Sequence, residues 1–118
     1  MPPSRRALAC AWTAAVAGVL MPVTLGAADA AADARLELGR KVFMQIAQPP
    51  CGLCHTLADA GAKGEIGAKL DELKPDEQRV LAAVRQGVGV MPRYDDKLTQ
   101  EQIDAVAHNV AQAVRRAK

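Results

Sequence analysis

The residues best able to do chemistry in this chain are Cys51, Cys54 and His55, in the run Cys51-Gly-Leu-Cys54-His55. Cys-x-x-Cys-His is the spacing of covalent haem attachment. Two thiols one helical turn apart can each form a thioether with a porphyrin vinyl group. The histidine that follows then lies where its imidazole can coordinate the iron. Other chemistries compete for the pair. A thioredoxin-like dithiol belongs beside a βαβ pattern, and no segment here alternates with period two. Half a zinc site needs further ligands, and His108 is the only other histidine. The pattern therefore predicts one covalently bound haem c.

An iron held by His55 on one side leaves a sixth position, and its occupant decides the function. Met91 is the candidate, about three dozen residues further on in Gly87-Val-Gly89-Val-Met91-Pro92. A thioether sulfur is a soft ligand that stabilises ferrous iron and raises the reduction potential. Pro92 would stiffen the backbone beside it, and the two glycines let the loop pass close to a porphyrin face. The usual fate of a methionine is core packing, but Met91 sits in a Gly/Pro loop outside any helical stripe. Met44 lies in a helical pattern and reads as packing. His108 reads as a half-buried or solvent-facing structural residue near the edge of the last helix.

Helices must position these groups. Leu36, Gly39, Phe43 and Ile46 recur at helical spacing, predicting a helix from about Asp33, as N-cap, to Ile46, ended by Gln48-Pro49-Pro50. From Ala58 to Leu73 the chain reads as loop. A second helix is expected from Pro75, at the first helical position, to Gln86, with Val80, Leu81 and Val84 buried and Gly87 as terminator. The third begins at Thr99, where Thr99-x-x-Gln102 makes a capping box, and buries Ile103, Val106, Ala107, Val110 and Val114. The predicted class is all-α, three main helices around one haem.

The N-terminus has a separate purpose. Arg5 and Arg6 precede an uncharged stretch from Ala7 to Ala28, and small residues then surround Ala28-Asp29-Ala30. This is the layout of a secretory signal peptide over residues 1–30, cut after Ala28 or Ala30, leaving a single domain at 31–118. The uncharged run is also long enough for an uncleaved anchor, but its Ala/Gly richness, Pro22 and cleavage site favour removal. Membrane association is expected only if the segment is retained. Lipidation at Cys10 fails, because the apolar stretch before it is too short and Ala7 stands three residues before the cysteine, where a lipoprotein signal has leucine. Removal leaves Cys51 and Cys54 as the only cysteines, and Phe43 and Tyr94 as the only aromatics. A domain of about 88 residues with so few aromatics benefits from a large apolar cofactor in its core. Thirteen basic residues then face twelve acidic ones, a balance that gives no case for nucleic-acid binding.

The whole of residues 31–118 resembles a class I c-type cytochrome. Gly39 followed by Phe43 is similar to the glycine and aromatic that pack on the last helix in that family. Gly67-Ala68-Lys69-Leu70 stands where the family usually has Gly-Pro-x-Leu, whose proline carbonyl accepts a hydrogen bond from the axial histidine. Ala68 keeps the carbonyl and loses the stiffness. His108 stands where the family has a tyrosine, so the resemblance places its imidazole at the crossing with Gly39. The run from Cys51 to Ala62, Leu70-Asp-Glu-Leu-Lys-Pro75 and Gly87-Val-Gly-Val-Met91-Pro-x-Tyr94 are similar to the small haem subunits of bacterial sulfite dehydrogenases. The resemblance implies a periplasmic carrier of single electrons, with Cys51 and Cys54 holding the haem and His55 and Met91 on the iron. The partners implied are redox proteins: a molybdenum-dependent sulfite dehydrogenase catalytic subunit, a terminal oxidase or another cytochrome. A fixed subunit of such a complex is the alternative to a diffusing carrier. An open iron acting as sensor or peroxidase is a third reading. Lys69, Arg85 and Arg93 could border an exposed haem edge and steer an acidic partner, or be ordinary solvated charges.

Overall fold

The computed structural model describes residues 25–117; most of the expected export segment, with Cys10, lies outside the described residues. Three long helices dominate. Helix α1 spans Leu25–Lys41 and runs on through a π-helical turn, Val42–Ile46. Helix α4 spans Glu77–Gln86 and α5 spans Gln100–Arg116. Between them lie α2 (Cys51–Cys54), a two-stranded ribbon of β1 (Thr56–Leu57) and β2 (Ala62–Lys63), and α3 (Leu70–Leu73). The stretch expected to be loop thus holds a small antiparallel ribbon, with Thr56 opposite Lys63, and a single helical turn. Elements of two to four residues leave no periodicity to read.

Helix α1 is already formed at Leu25, the first described residue, so Asp33 lies inside the helix and is not its cap. The Ala-rich run from Ala27 to Ala32 has high intrinsic helix propensity. Its far end departs from simple periodicity. The π turn carries an extra residue per hydrogen-bonded ring, and this rotates the apolar face. Val42 and Phe43 are buried, but Ile46, expected on the same face, is exposed and Ala47 is buried in its stead.

In α4 the cap is Asp76, whose carboxylate accepts from the Arg79 N–H at 2.8 Å. Pro75 precedes the helix, because only a side-chain acceptor can satisfy the orphan N–H groups of the first turn. Gly87, at φ 72°, ends it. At α5 the capping box is complete: Thr99 accepts from the Gln102 N–H and the Gln102 side chain accepts from the Thr99 N–H. All five residues expected on its apolar face are buried.

The tightest crossing is between α1 and α5. A Cβ on Gly39 would collide with the Ala105 carbonyl and fall 2.5 Å from the Asn109 Cβ, so only glycine permits this approach. Asn109, buried, donates to the Leu36 carbonyl across the same contact at 3.0 Å. This corrects the placement of His108. Positions 105 and 109 share a helix face four residues apart, and position 108 is turned about 60° from Ala105 and about 100° from Asn109. His108 instead bonds Glu77 of α4 at 3.0 Å through Nδ1, half-buried. Arg35 joins the same carboxylate at 3.0 Å, so Glu77 ties α1, α4 and α5 together.

Candidate haem site

The residues singled out by the sequence converge on one cavity. It has a volume of about 500 Å³, and Cys51, Cys54, His55 and Met91 all line it. Phe43 from the π turn, Leu70 from α3, Val80 and Val84 from α4, and Val106 and Val110 from α5 complete an apolar wall. The size falls within the range of small-molecule sites. A wall of this composition, with two thiols, an imidazole and a thioether in it, suits a large planar apolar group carrying a metal.

Helix α2 is one turn long and presents both cysteines, with the His55 N–H closing onto the Cys51 carbonyl at 2.9 Å. Burial pushes the Cys51 thiol up to about 11. A reactive dithiol needs the opposite shift, toward the thiolate. The environment is that of a packed sulfur.

His55 is held in one orientation. Its Nδ1 lies 2.8 Å from the Ala68 carbonyl. A carbonyl can only accept, so Nδ1–H donates and the lone pair of a neutral ring is on Nε2. This contact is the one expected where the family pattern has proline, and alanine supplies the carbonyl equally well. Gly67 makes it possible: a Cβ there would sit 2.6 Å from His55 Cε1 and 2.9 Å from Nδ1. The Gly67 N–H also donates to the Cys54 carbonyl at 2.7 Å, which ties this loop to the motif.

Met91 is placed by a tight loop. Its N–H donates to the Val88 carbonyl at 2.9 Å, with the reciprocal bond at 3.3 Å. Gly87 allows the return of the chain, since a Cβ there would lie 2.6 Å from the Met91 carbonyl. Tyr94, two residues beyond Pro92, is buried in the same wall and donates its hydroxyl to the Pro49 carbonyl at 2.7 Å. That bond joins the methionine loop to the segment entering α2, where the Gln48–Pro49 peptide is cis. Burial, with the neighbouring cysteines, raises Tyr94 to about 12. Met44 stays outside the cavity wall and packs on the motif, its Sδ 2.9 Å from where a Gly52 Cβ would be.

The cationic residues expected at the rim are engaged locally. Lys69 lies 3.5 Å from Glu72, Arg85 lies 3.6 Å from Asp104, and Arg93 forks onto Asp95, whose carboxyl it holds below the usual range. Exposed apolar groups are nearer the cavity: Val88 and Val90 of the methionine loop and Ile66 are largely exposed while contributing to its wall. Arg79, which periodicity did not single out, also lines it. Among the described residues no helix is long and apolar enough to cross a membrane.

Comparison with known proteins agrees with this arrangement. The family model described as cytochrome C oxidase, cbb3-type, subunit III matches residues 34–108. Among solved structures, the c-type cytochrome SorU from Sinorhizobium meliloti is similar with a TM-score of 0.68 and 51% sequence identity, over 73% of this chain and 98% of that one. No curated protein matches the sequence.

Proposed function

This chain belongs to the c-type cytochrome family, and we propose that it works as a periplasmic carrier of single electrons through a His/Met-ligated haem. As a c-type cytochrome it holds haem c covalently and transfers electrons. Cys51 and Cys54 would hold the haem covalently, and His55 and Met91 would ligate its iron. The bound haem supplies the one-electron couple; the chain sets its potential and access. The observation that carries the ligand assignment is the Nδ1–H bond of His55 to Ala68, which leaves Nε2 as the donor in the cavity shared with Met91. A histidine ligand whose other nitrogen donates to a carbonyl is oriented and made more basic. The apolar wall excludes water from the iron, and a sulfur ligand favours its reduced state. With His55 and Met91 both on the iron, no position would be left for oxygen or peroxide, and the role would be transfer and not catalysis.

Residues 1–30 are assigned as an export signal cut after Ala28 or Ala30, with residues 31–118 as the mature domain. Both bonds lie in the exposed first part of α1, away from the core. The partner class is a redox protein, with a molybdenum-dependent sulfite dehydrogenase subunit favoured by the haem-motif and methionine-loop phrases. Replacing Met91 by alanine tests the assignment: the potential should fall and the reduced iron should bind carbon monoxide. An unchanged potential contradicts it. Purification from native periplasm, with identification of what accompanies the protein and of its first residue, tests compartment, cleavage and partner.

A further inference from the structure

Among the described residues, Arg79 is the only one charged at neutral pH in the wall of the cavity. It lies in the first turn of α4, where its N–H is fixed on the Asp76 carboxylate. Its guanidinium has no partner among the described residues. That sets it apart from the other arginines there. Arg35, Arg40, Arg85, Arg93 and Arg116 each lie within ion-pair distance of a carboxylate. Arg115 donates to the Ala111 carbonyl. The nearest acidic neighbours in sequence are already engaged: Asp76 caps the helix and Glu77 holds Arg35 and His108. Arg79 is exposed, so its guanidinium stands at the mouth of the apolar wall, free to meet an anion that a ligand brings there.

A haem is apolar over its faces and carries two carboxylate arms, the propionates, along one edge. We infer that Arg79 pairs with a haem propionate and seats that edge against the start of α4. The inference rests on the haem reading above. The positive end of the α4 dipole adds to the field of the guanidinium at the same place. A cation held there offsets the propionate charge, and so favours the reduced iron.

The test uses the intact haem-loaded protein and three variants: Arg79→Gln, Arg79→Lys, and Arg85→Gln as a control from the same helix whose side chain is outside the cavity wall. The readouts are the midpoint potential and the propionate bending band in resonance Raman. Arg79→Gln should shift the band and lower the potential by roughly threefold in the reduced-to-oxidised ratio, the weight of a partly exposed ion pair. For a one-electron couple that is about 30 mV, at 59 mV per tenfold. Arg79→Lys, which keeps the charge, should recover most of the potential. Arg85→Gln should leave the band in place and move the potential less than half as far. An unchanged band in Arg79→Gln, a lysine variant no better than glutamine, or an equal effect from Arg85→Gln overturns the assignment. Lack of covalent haem in the unsubstituted protein would remove the carrier reading itself, and is seen before any variant is made.

Discussion

Replacement of Gly67 by alanine strikes the contact that orients His55. The added Cβ would lie 2.6 Å from His55 Cε1, against an ordinary contact of 3.4 Å or more, so the ring must retreat by roughly 0.8 Å. A movement of that size is enough to take Nδ1 out of hydrogen-bond range of a carbonyl now 2.8 Å away. The ring has little freedom to turn aside, because the cysteine that precedes it in the motif is tied back to the Gly67 N–H. Overpacking costs about 1–3 kcal/mol and the lost hydrogen bond about 1 kcal/mol. The expected loss is therefore about 2–4 kcal/mol, a large share of the stability of a small domain. Denaturant unfolding of the haem-loaded protein, followed at the Soret band, measures it. The proposed ligation by His55 should also weaken, since loss of an outer contact of this kind typically costs about 10–100-fold in metal affinity. A Gly67→Ala protein within about 0.5 kcal/mol of the parent, with an unaltered spectrum, would refute the reasoning.

Gly39→Ala places a methyl against the Ala105 carbonyl, which is backbone and cannot swing away. The clash should outweigh the roughly 1 kcal/mol gained in helix propensity, for a net loss of about 1–3 kcal/mol in denaturant unfolding. Tyr94→Phe leaves the Pro49 carbonyl without its donor and should cost about 1–2 kcal/mol. Tyr94 is also raised to about 12 from its ordinary value of 10, so the folded state holds its proton longer than the unfolded chain does. Its contribution is whole below pH 10 and is lost as the pH rises toward 12. Unfolding curves at increasing pH should show that decline in the parent and a flatter profile in the phenylalanine variant.

How much of this could be read from residues alone depends on the length scale of the signal. The haem motif and the methionine loop are short, and their chemistry is carried by residue type and spacing. Helix α5 was equally legible, because seventeen residues of unbroken 3.6-residue periodicity and a capping box agree with each other. The end of α1 was not, since one π turn changes the phase and turns Ile46 outward with no compositional mark. The start of α4 shifted by two residues because Asp76 and Pro75 are both good starting residues, and only the carboxylate makes the capping bond. The crossing with Gly39 is made by Ala105 and Asn109, and His108, about 100° round the helix from Asn109, reaches Glu77 instead. The contact between His55 and Ala68 came from the family pattern and is present despite the missing proline. Arg79 carries no local sequence signal, because what marks it is its place in the cavity wall, which only the fold creates.

The most direct test of the central claim is the near-infrared spectrum of the ferric protein at neutral pH. Ligation by Met91 predicts a weak sulfur-to-iron charge-transfer band there, absent after Met91→Ala. A parent protein without that band, or one whose reduced form readily binds carbon monoxide, would contradict the assignment of this haem as a six-coordinate electron carrier.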